Sequence, residues 1–353
     1  MIDNGKISII VPMYNCAEYA PKCIDNILSQ SYTNWELWLV HGDSNDGTEA
    51  ICRKYEDQDS RIHNIFHIDG LVPARNVGYE HATGDWIMYI DGDDWIDGDC
   101  FVEIMEAARK YNNPDVIFWK CIQELGNISI KGKMEWKCID DMHLYTGEGC
   151  QMLSQNTLEY KSGIATAYAK VMRADFCKKY NLEHNRNLRQ GMEGIEFCMR
   201  LFFYAKTALY INKYYNHYRY NPNSLSKVVS KKNARYMYES AVECDKFIGT
   251  LDEERQDKYR ASLYKRSLYA IIALAMSTYF HPNNHDKFSQ KKKEFIELCN
   301  KDIFAKAIEF GDISQFDKSR KFVVTLIRCG QYWPLPLVTK AKLFLLKRGY
   351  FNY

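Results

Sequence analysis

The first 120 residues alternate short apolar runs with segments whose apolar residues recur at helical spacing. After the first run, Cys23, Ile24, Ile27 and Leu28 fall on one face of a predicted helix. Continuous apolar runs rich in β-branched residues are typical of strands covered on both faces. Their alternation with helices predicts an α/β fold, Rossmann-like, with a mostly parallel twisted sheet. The predicted strands are ISIIV (7–11), ELWLV (36–40), HNIFHI (63–68), WIMYI (86–90) and DVIFW (115–119).

Candidate ligand-binding residues follow the carboxyl ends of the first four predicted strands. Sheets of this class bind their ligands in the crevice beyond those ends. The fourth strand shows this most clearly, because WIMYI continues directly into DGDDWID. We therefore expect a ligand site at this edge of the sheet. The candidates are Pro12, Tyr14 and Asn15 after the first strand, residues 41–46 after the second, Asp69 and Gly70 after the third, and residues 91–94 after the fourth.

Asp91 and Asp93 form an Asp-x-Asp pair at the end of the fourth strand. In extended chain, residues two apart point the same way, so both carboxylates can face one ligand. They repel each other unless a cation lies nearby. Mg²⁺ or Mn²⁺ fits this pattern, since both ions prefer oxygen ligands and commonly bind carboxylates together with substrate phosphates. Gly92 would allow a phosphate or a backbone segment to come close. The alternative is a solvated acidic turn that caps a helix near Asp99.

Composition narrows the class of protein. The chain has 353 residues, of which 46% are hydrophobic and 26% charged, and its net charge is +2, so nothing indicates nucleic acid as a partner. Twelve cysteines without a C-x-x-C pair suggest free thiols in the cytoplasm, and no signal peptide is expected. The longest apolar run, LYAIIALAM, has nine residues, whereas a membrane-spanning helix needs about 20.

Five segments follow one another along the chain: ISIIVPMYN, CIDNILSQSYTNWELWLV, GDSNDGT, ARNVGYEHATGDWIMYIDGDDWI and RYNPNSLS. In this order they resemble the motifs of family 2 glycosyltransferases, which are inverting enzymes with the GT-A fold. The resemblance is detailed over residues 6–120 and looser to about residue 226. It implies a GT-A catalytic domain over 1–226, with a nucleotide-sugar-binding half (1–120) and an acceptor-side half (121–226). Residues 227–353 form a predicted helical C-terminal region.

The resemblance implies a role for each matching residue of the donor site. Pro12 and Tyr14, with the neighbouring Asn15 and Asp43, would line the nucleotide. Arg75 would contact the base or the diphosphate, for which an Arg fork is suited; a surface salt bridge is the alternative.

The same resemblance assigns a metal site and an acceptor side. Asp91 would contact the ribose or the metal, Asp93 would bind Mn²⁺ or Mg²⁺, and the ion would neutralise the departing diphosphate. The metal and acceptor candidates further along the chain are His217 as another metal contact, Arg219 at the diphosphate or acceptor, Ser224 at the same edge, and Asp94 and Trp95 on the acceptor side.

Two positions depart from the family pattern. Many relatives read DDGS after the second strand, whereas this chain reads HGDS, so Asp43 could recognise the base only with a shifted loop. Gly194 stands where relatives usually carry the Asp that acts as general base. Glu193 is the nearest replacement and Glu196 the next, and both would share one helix face. The alternative is that both are first-turn acids stabilised by the helix dipole.

The last segment, 318–353, alternates cationic and apolar residues. It includes Tyr332, Trp333, Phe344 and Tyr350, which are side chains of the kind found at membrane interfaces. Peripheral docking on the inner membrane surface and a helical cap with a solvated basic face are both open. The cations are Lys318, Arg320, Lys321, Arg328, Lys340, Lys342, Lys347 and Arg348.

These observations predict sugar transfer from a nucleotide-sugar donor, with a UDP-sugar as the expected donor, to a saccharide or lipid-linked acceptor. The product would belong to a bacterial capsule, lipopolysaccharide or exopolysaccharide. We expect a cytoplasmic protein, with a place at the cytoplasmic face of the membrane left open, and an oligomer is equally open. One alternative is nucleotidyl transfer. Another is a non-catalytic nucleotide-sugar-binding homologue, which predicts that Gly194→Asp gains activity.

Overall fold

The structure is a computed structural model. Four predictions made above fall on residues outside the part of the chain that the structure describes. They concern Ser224, the motif RYNPNSLS after its first residue, Arg348 and Tyr350. The described residues are 5–126, 128–131, 141–160, 162–219 and 230–347.

The chain divides into two compact units. The first comprises Met1–Thr157 and Lys161–Asn221, and the second comprises Leu158–Tyr160 and Pro222–Tyr353. The domain boundary predicted from the sequence lies between residues 226 and 227.

Ten strands of the described chain form one sheet in the first unit. Strands lie near all five predicted positions. The first ends at Met13 rather than at residue 11, so Pro12 lies inside the strand, opposite Val40. The strands are β1 (Ile7–Met13), β2 (Trp35–His41), β3 (Ile62–Phe66), β4 (Trp86–Tyr89), β5 (Trp95–Ile96), β6 (Val116–Leu125), β7 (Ile128–Lys131), β8 (Met142–Thr146), β9 (Lys170–Arg173) and β10 (Thr207–Arg219).

The sequence predicts a mostly parallel sheet, whereas the sheet is mixed: among the described residues, four strand pairs are parallel and five are antiparallel. Strand β1 pairs in parallel with β2 and β4, β2 pairs in parallel with β3, and β6 pairs in parallel with β10. Strand β9 lies antiparallel between β4 and β6, and β5 pairs antiparallel with β10. The main strand order is β3-β2-β1-β4-β9-β6-β10-β5. The less regular segment after residue 120 therefore extends the same sheet.

Strand β1 shows why the apolar runs are continuous. Ile9 and Val11 pack into the core on one face of the sheet, whereas Ile10 packs into the core on the other. Both faces are covered, so most successive residues are apolar, and the buried exception Ser8 donates a hydrogen bond to Glu36 of β2 at 2.6 Å. The helices of the first unit are α1 (Ala20–Leu28), α2 (Thr48–Gln58), α3 (Leu71–His81), α4 (Cys100–Lys110), α5 (Glu148–Asn156), α6 (Ala174–Lys179) and α7 (Glu193–Tyr204).

The second unit is helical, as the sequence predicts. Its long helix α9 continues into a π-helical turn at Ala275–Tyr279. No helix in the described part of the chain is both long and apolar enough to cross a membrane. The helices are α8 (Lys231–Ile248), α9 (Glu253–Leu274), α10 (Phe288–Cys299), α11 (Asp302–Phe310), α12 (Lys318–Arg328) and α13 (Leu335–Lys347).

The basic segment forms the last two helices, and apolar side chains on them face solvent. In α13, Leu335 and Thr339 are buried, whereas Leu337 is 60% exposed. Trp333, which precedes the helix, is 64% exposed, and Phe344 is 53% exposed. Residues 337, 340, 341 and 344 share one exposed helix face, so apolar and cationic groups lie side by side there.

Candidate active site

The loops after β1 and β2 form one hydrogen-bonded rim. Asn15 adopts a left-handed conformation with φ 47°, and its amide donates to Ser44 Oγ at 3.0 Å. Its side-chain oxygen accepts from the Asn45 amide at 3.2 Å. Tyr14 and Asp43 are both exposed on this rim. The structure therefore brings three of the predicted nucleotide-binding residues together beyond the carboxyl ends of these parallel strands.

His41 does not belong to the exposed rim. Its side chain is buried, its Nδ1 lies 3.4 Å from the Gly42 carbonyl oxygen, and its ring packs against Phe66. The histidine therefore has a structural role in the core rather than a ligand role.

Arg75 joins two acids that are far apart in sequence. It lies on α3 and is almost completely buried. Its Nη2 donates to Asp91 Oδ1 at 2.8 Å and its Nη1 donates to Glu193 Oε1 at 3.2 Å. Burial works to lower the pKa of Arg75, but the two negative charges outweigh it and hold the pKa above its usual value. Because Arg75 is buried while Asp91 and Glu193 are 24% and 13% exposed, these ion pairs are partly buried rather than on the open surface.

Gly92 lies inside the acidic loop, residues 91–94 between β4 and β5, and is packed against the protein's own chain. A Cβ atom at this position would lie 2.6 Å from Met13 Sδ and 2.9 Å from the Pro12 carbonyl oxygen. The close approach that this glycine permits is thus to the end of β1. Because Gly92 has no side chain, the acidic loop packs directly against the end of β1, from which the rim residues Tyr14 and Asn15 follow.

Asp94 is the buried member of the acidic loop. Its Oδ1 accepts the Arg219 amide at 2.8 Å, whereas its Oδ2 has no hydrogen-bond partner among the described residues. Burial, followed by the negative charges of Asp91 and Asp93, raises the pKa of Asp94 well above its usual value. Its contacts link the acidic loop to the end of β10.

The two candidate bases lie in different surroundings. Glu193 begins α7 and is paired with Arg75 in the site. Glu196 is buried and binds Arg200 through both carboxylate oxygens, at 2.6 and 3.0 Å. The structure therefore brings Glu193 to the acidic loop and gives Glu196 a partner on its own helix.

Gly194 is held too tightly to be exchanged for an acid. A Cβ atom there would lie 2.6 Å from the carbonyl oxygen of Ala165 and 3.4 Å from the amide nitrogen of Ala167. The expectation that Gly194→Asp restores a missing base is not supported by this backbone, because the new side chain would press on the neighbouring main chain unless segment 165–167 moved.

Lys170 supports the segment that packs on Gly194, and sequence reasoning missed it. Its buried Nζ donates to the carbonyl oxygens of Thr166 and Tyr168. Burial lowers the pKa of Lys170. The thiol of Cys198, on α7, also donates to the Thr166 carbonyl, at 3.2 Å. A single lysine in an irregular segment carries no sequence signal of this role.

His217 has both ring nitrogens occupied. Nδ1 lies 2.7 Å from Glu124 Oε1 and Nε2 lies 2.9 Å from Asp97 Oδ1. Its ring stacks on Trp95 with centroids 4.8 Å apart. Since neither nitrogen is available to an ion in this arrangement, the expected metal contact of His217 is not what the structure shows. Arg219, on the same strand, donates from Nε to the Asp93 carbonyl at 3.0 Å.

The acidic loop nevertheless fits a divalent cation. Asp91 and Asp93 are partly exposed, and their charges help to raise the pKa of Asp94, so a cation beside them would relieve their repulsion. Among the described residues, no group of three or more His, Cys, Asp or Glu side chains forms a metal site. The protein would therefore supply one or two carboxylates, as in sites where substrate phosphates complete the coordination of Mg²⁺.

The mixed sheet flanked by helices, with polar loops at the carboxyl ends of β1, β2 and β4, has the architecture of the GT-A fold. Residues 8–181 match the family model described as glycosyl transferase family 2. The chain belongs to that family through this domain.

Relatives with known names agree with this assignment. The chain is 27% identical over 241 residues to glycosyltransferase GlyA of Streptococcus pneumoniae, covering 66% of this chain but only 33% of GlyA. It is 30% identical over 133 residues to the UDP-Glc:alpha-D-GlcNAc-diphosphoundecaprenol beta-1,3-glucosyltransferase WfgD of Escherichia coli, covering 37% of this chain and 51% of WfgD. The fold resembles S. aureus TarS 1-349 in complex with UDP-GlcNAc, with TM-score 0.65, 17% identity and 98% and 92% of the two chains covered.

Proposed function

We propose that this protein transfers a sugar from a UDP-sugar to a saccharide or lipid-linked acceptor, with inversion at the anomeric carbon. The observation that carries the proposal is the buried Arg75, which holds Asp91 and Glu193 in one centre. The UDP-GlcNAc complex of TarS and the UDP-sugar in the name of WfgD support the choice of donor.

In the proposed reaction, Glu193 is the general base. The acceptor hydroxyl oxygen attacks the anomeric carbon, its proton passes to the Glu193 carboxylate, and the bond from that carbon to the diphosphate breaks. Arg75 fixes the orientation of Glu193 relative to the acidic loop, so that positioning rather than covalent chemistry lowers the barrier. Inversion follows because the acceptor oxygen and the leaving diphosphate are on opposite sides of the ring.

Asp91 and Asp93 would hold Mn²⁺ or Mg²⁺ in this scheme. The bound ion would supply positive charge to the departing diphosphate. Because Arg75 already neutralises part of the charge on Asp91, Asp93 is the carboxylate on which ion binding would depend more strongly.

The acceptor would belong to the synthesis of a bacterial surface polysaccharide. The name of WfgD specifies an acceptor linked through diphosphate to undecaprenol, and a lipid-linked acceptor is held at a membrane. The exposed Trp333, Leu337 and Phe344, with Lys340 among them, fit peripheral docking on an anionic inner membrane surface. We propose this location, on the cytoplasmic side, as part of the function.

A panel of nucleotide sugars tests the proposal. Release of nucleoside diphosphate is measured with Mn²⁺, with Mg²⁺ and with chelator, and product anomers are assigned by NMR. We expect metal-dependent turnover with a UDP-sugar. Glu193→Gln should lower kcat by about 10²-fold or more, which is the contribution typical of a general base. Asp93→Asn should weaken the response to metal.

The matched control is Glu254→Gln, an exposed glutamate of the second unit, which should turn over like the parent protein. Unchanged kcat in Glu193→Gln would remove its role as base, and an unchanged metal response in Asp93→Asn would remove the metal role. Release of pyrophosphate instead of UDP would favour nucleotidyl transfer.

A further inference from the structure

Trp95 lies among three side chains that can carry positive charge. Lys22 Nζ of α1 is 3.2 Å from the centroid of the Trp95 ring, and the guanidinium carbon of Arg219 is 4.9 Å from it. The imidazole of His217 stacks on the same residue. The Arg219 guanidinium also lies 4.6 Å from the ring of Tyr19. These residues meet beside the acidic loop.

Aromatic faces, rather than carboxylates, hold the two strong cations of this group. In the part of the chain that the structure describes, no carboxylate forms an ion pair with Lys22 or Arg219. Asp97 and Glu124, the acids whose charges act on Lys22, are each hydrogen-bonded to His217. Partial burial and the positive charge of Arg219 lower the pKa of Lys22. An anion placed here would therefore gain two cations without breaking an ion pair of either.

The position of Arg219 is fixed by the acidic loop. Its amide donates to Asp94 and its Nε donates to the Asp93 carbonyl, so the end of β10 is attached to the loop that would hold the donor diphosphate. Trp95 follows that loop directly and is partly exposed. A group bound at Lys22 and Arg219 would thus lie next to the reacting centre, on the side of Trp95.

We propose that Lys22 and Arg219, with Trp95, form a subsite for an anionic group of the acceptor, a phosphate or a carboxylate close to the sugar that is extended. Arg219 supplies a planar fork for two oxygens, and Lys22 supplies a mobile point charge. The inference rests on the proposed function and narrows its acceptor class from any saccharide to one that carries negative charge near the reacting hydroxyl.

The test uses the full-length protein labelled with ¹⁵N at tryptophan. Of the seven tryptophan indole signals, that of Trp95 is assigned from its loss in Trp95→Phe. One sample is first saturated with UDP and Mg²⁺, so that the donor site is filled, and a second sample contains Mg²⁺ without UDP. Glucose 1-phosphate, glucuronate and glucose are then titrated separately. The phosphate and the carboxylate probes distinguish the two sources of negative charge, and glucose is the neutral control.

We expect one or both anionic probes to shift the Trp95 signal, and glucose to leave it in place at the same concentrations. Lys22→Gln should weaken binding of the effective probe by about fivefold, as for one partly exposed charge pair. Raising the salt concentration should weaken binding to the parent protein more than to Lys22→Gln. The matched control is Lys179→Gln, because Lys179 also lies over an aromatic ring, that of Tyr180, at 5.1 Å.

Three results would overturn the subsite. The first is that neither anion shifts the Trp95 signal, and the second is that Lys22→Gln binds the effective probe as tightly as the parent protein. The third is a shift that appears only when UDP is omitted, which would assign Lys22 and Arg219 to the donor diphosphate. Failure of the proposed function is recognised separately, because the parent protein would then not bind UDP in calorimetric titration or turn over any nucleotide sugar.

Discussion

Two regions of the molecule combine charge with apolar surface in opposite ways. One is the centre formed by Arg75, Asp91 and Glu193 in the first unit, and the other is the exposed face of α13 in the second unit. At the centre, Arg75 is buried, and its two terminal nitrogens pair with Asp91 at 2.8 Å and with Glu193 at 3.2 Å. On α13, Leu337 and Phe344 are exposed beside Lys340. The first arrangement depends on each residue's identity. The second depends on the sum of apolar area and positive charge, so individual residues matter less.

The largest expected effect on stability comes from Arg75→Ala. Removing the buried guanidinium leaves the partly buried Asp91 and Glu193 without their partner, so we expect the free energy of unfolding to fall by about 3 kcal/mol, the lower end of the loss for a fully buried pair. Urea denaturation at neutral pH measures it. The control is Arg53→Ala, which breaks an exposed pair with Glu49 and should cost less than about 1 kcal/mol. Similar losses in the two variants would contradict the contrast between buried and exposed charge.

A smaller loss is expected for Gly194→Ala. The added Cβ would press on the Ala165 carbonyl at 2.6 Å, and overpacking of this kind typically costs about 1–3 kcal/mol. The shift should be seen in thermal unfolding, together with lower activity, because Glu193 is the adjacent residue. Gly98→Ala is the control, since a Cβ added there would meet no described atom within 4 Å. A Gly194→Ala protein as stable as Gly98→Ala would show that segment 165–167 yields easily.

The main expected effect of Asp94→Asn is on how the free energy of unfolding varies with pH. The folded-state pKa of Asp94 is raised, so the native protein binds this proton more tightly than the unfolded chain does. Its stabilising contribution is present below the unfolded pKa of about 4 and is lost as pH rises towards the folded pKa. Asn mimics the protonated form, so the variant should be the more stable protein at pH 7, with the difference shrinking towards pH 4. A difference independent of pH would rule out this account.

The smallest effect on stability is expected for Leu337→Ser on α13. Exposed substitutions usually change the free energy of unfolding by less than about 0.5 kcal/mol. Binding to vesicles of anionic lipid, measured by flotation, should nevertheless weaken, and further with Trp333→Ser added. Leu335→Ser is the opposite control, because Leu335 is buried and its loss should destabilise the fold. Undiminished flotation of the double variant would remove the membrane role of this face.

The same contrast explains what the sequence could predict. Strands β1 to β4 were predictable because burial on both faces requires continuous apolar runs, and the family motifs lie at their carboxyl ends. The proximity of Glu193 to Arg75 was not predictable, since 118 positions separate them and only the folded domain brings α3 and α7 together. His217 was predicted as a metal contact from its motif alone. Its two carboxylate partners come from a loop and from another strand.

Gly92 sets a condition for redesigning donor preference. Since a side chain there would strike Met13 and the Pro12 carbonyl, the acidic loop and the segment leading into Tyr14 can be transplanted from another enzyme only as a pair. A chimaera that receives only the acidic loop, or only the segment leading into Tyr14, would lose the close packing between them. A chimaera that receives both segments together would keep it.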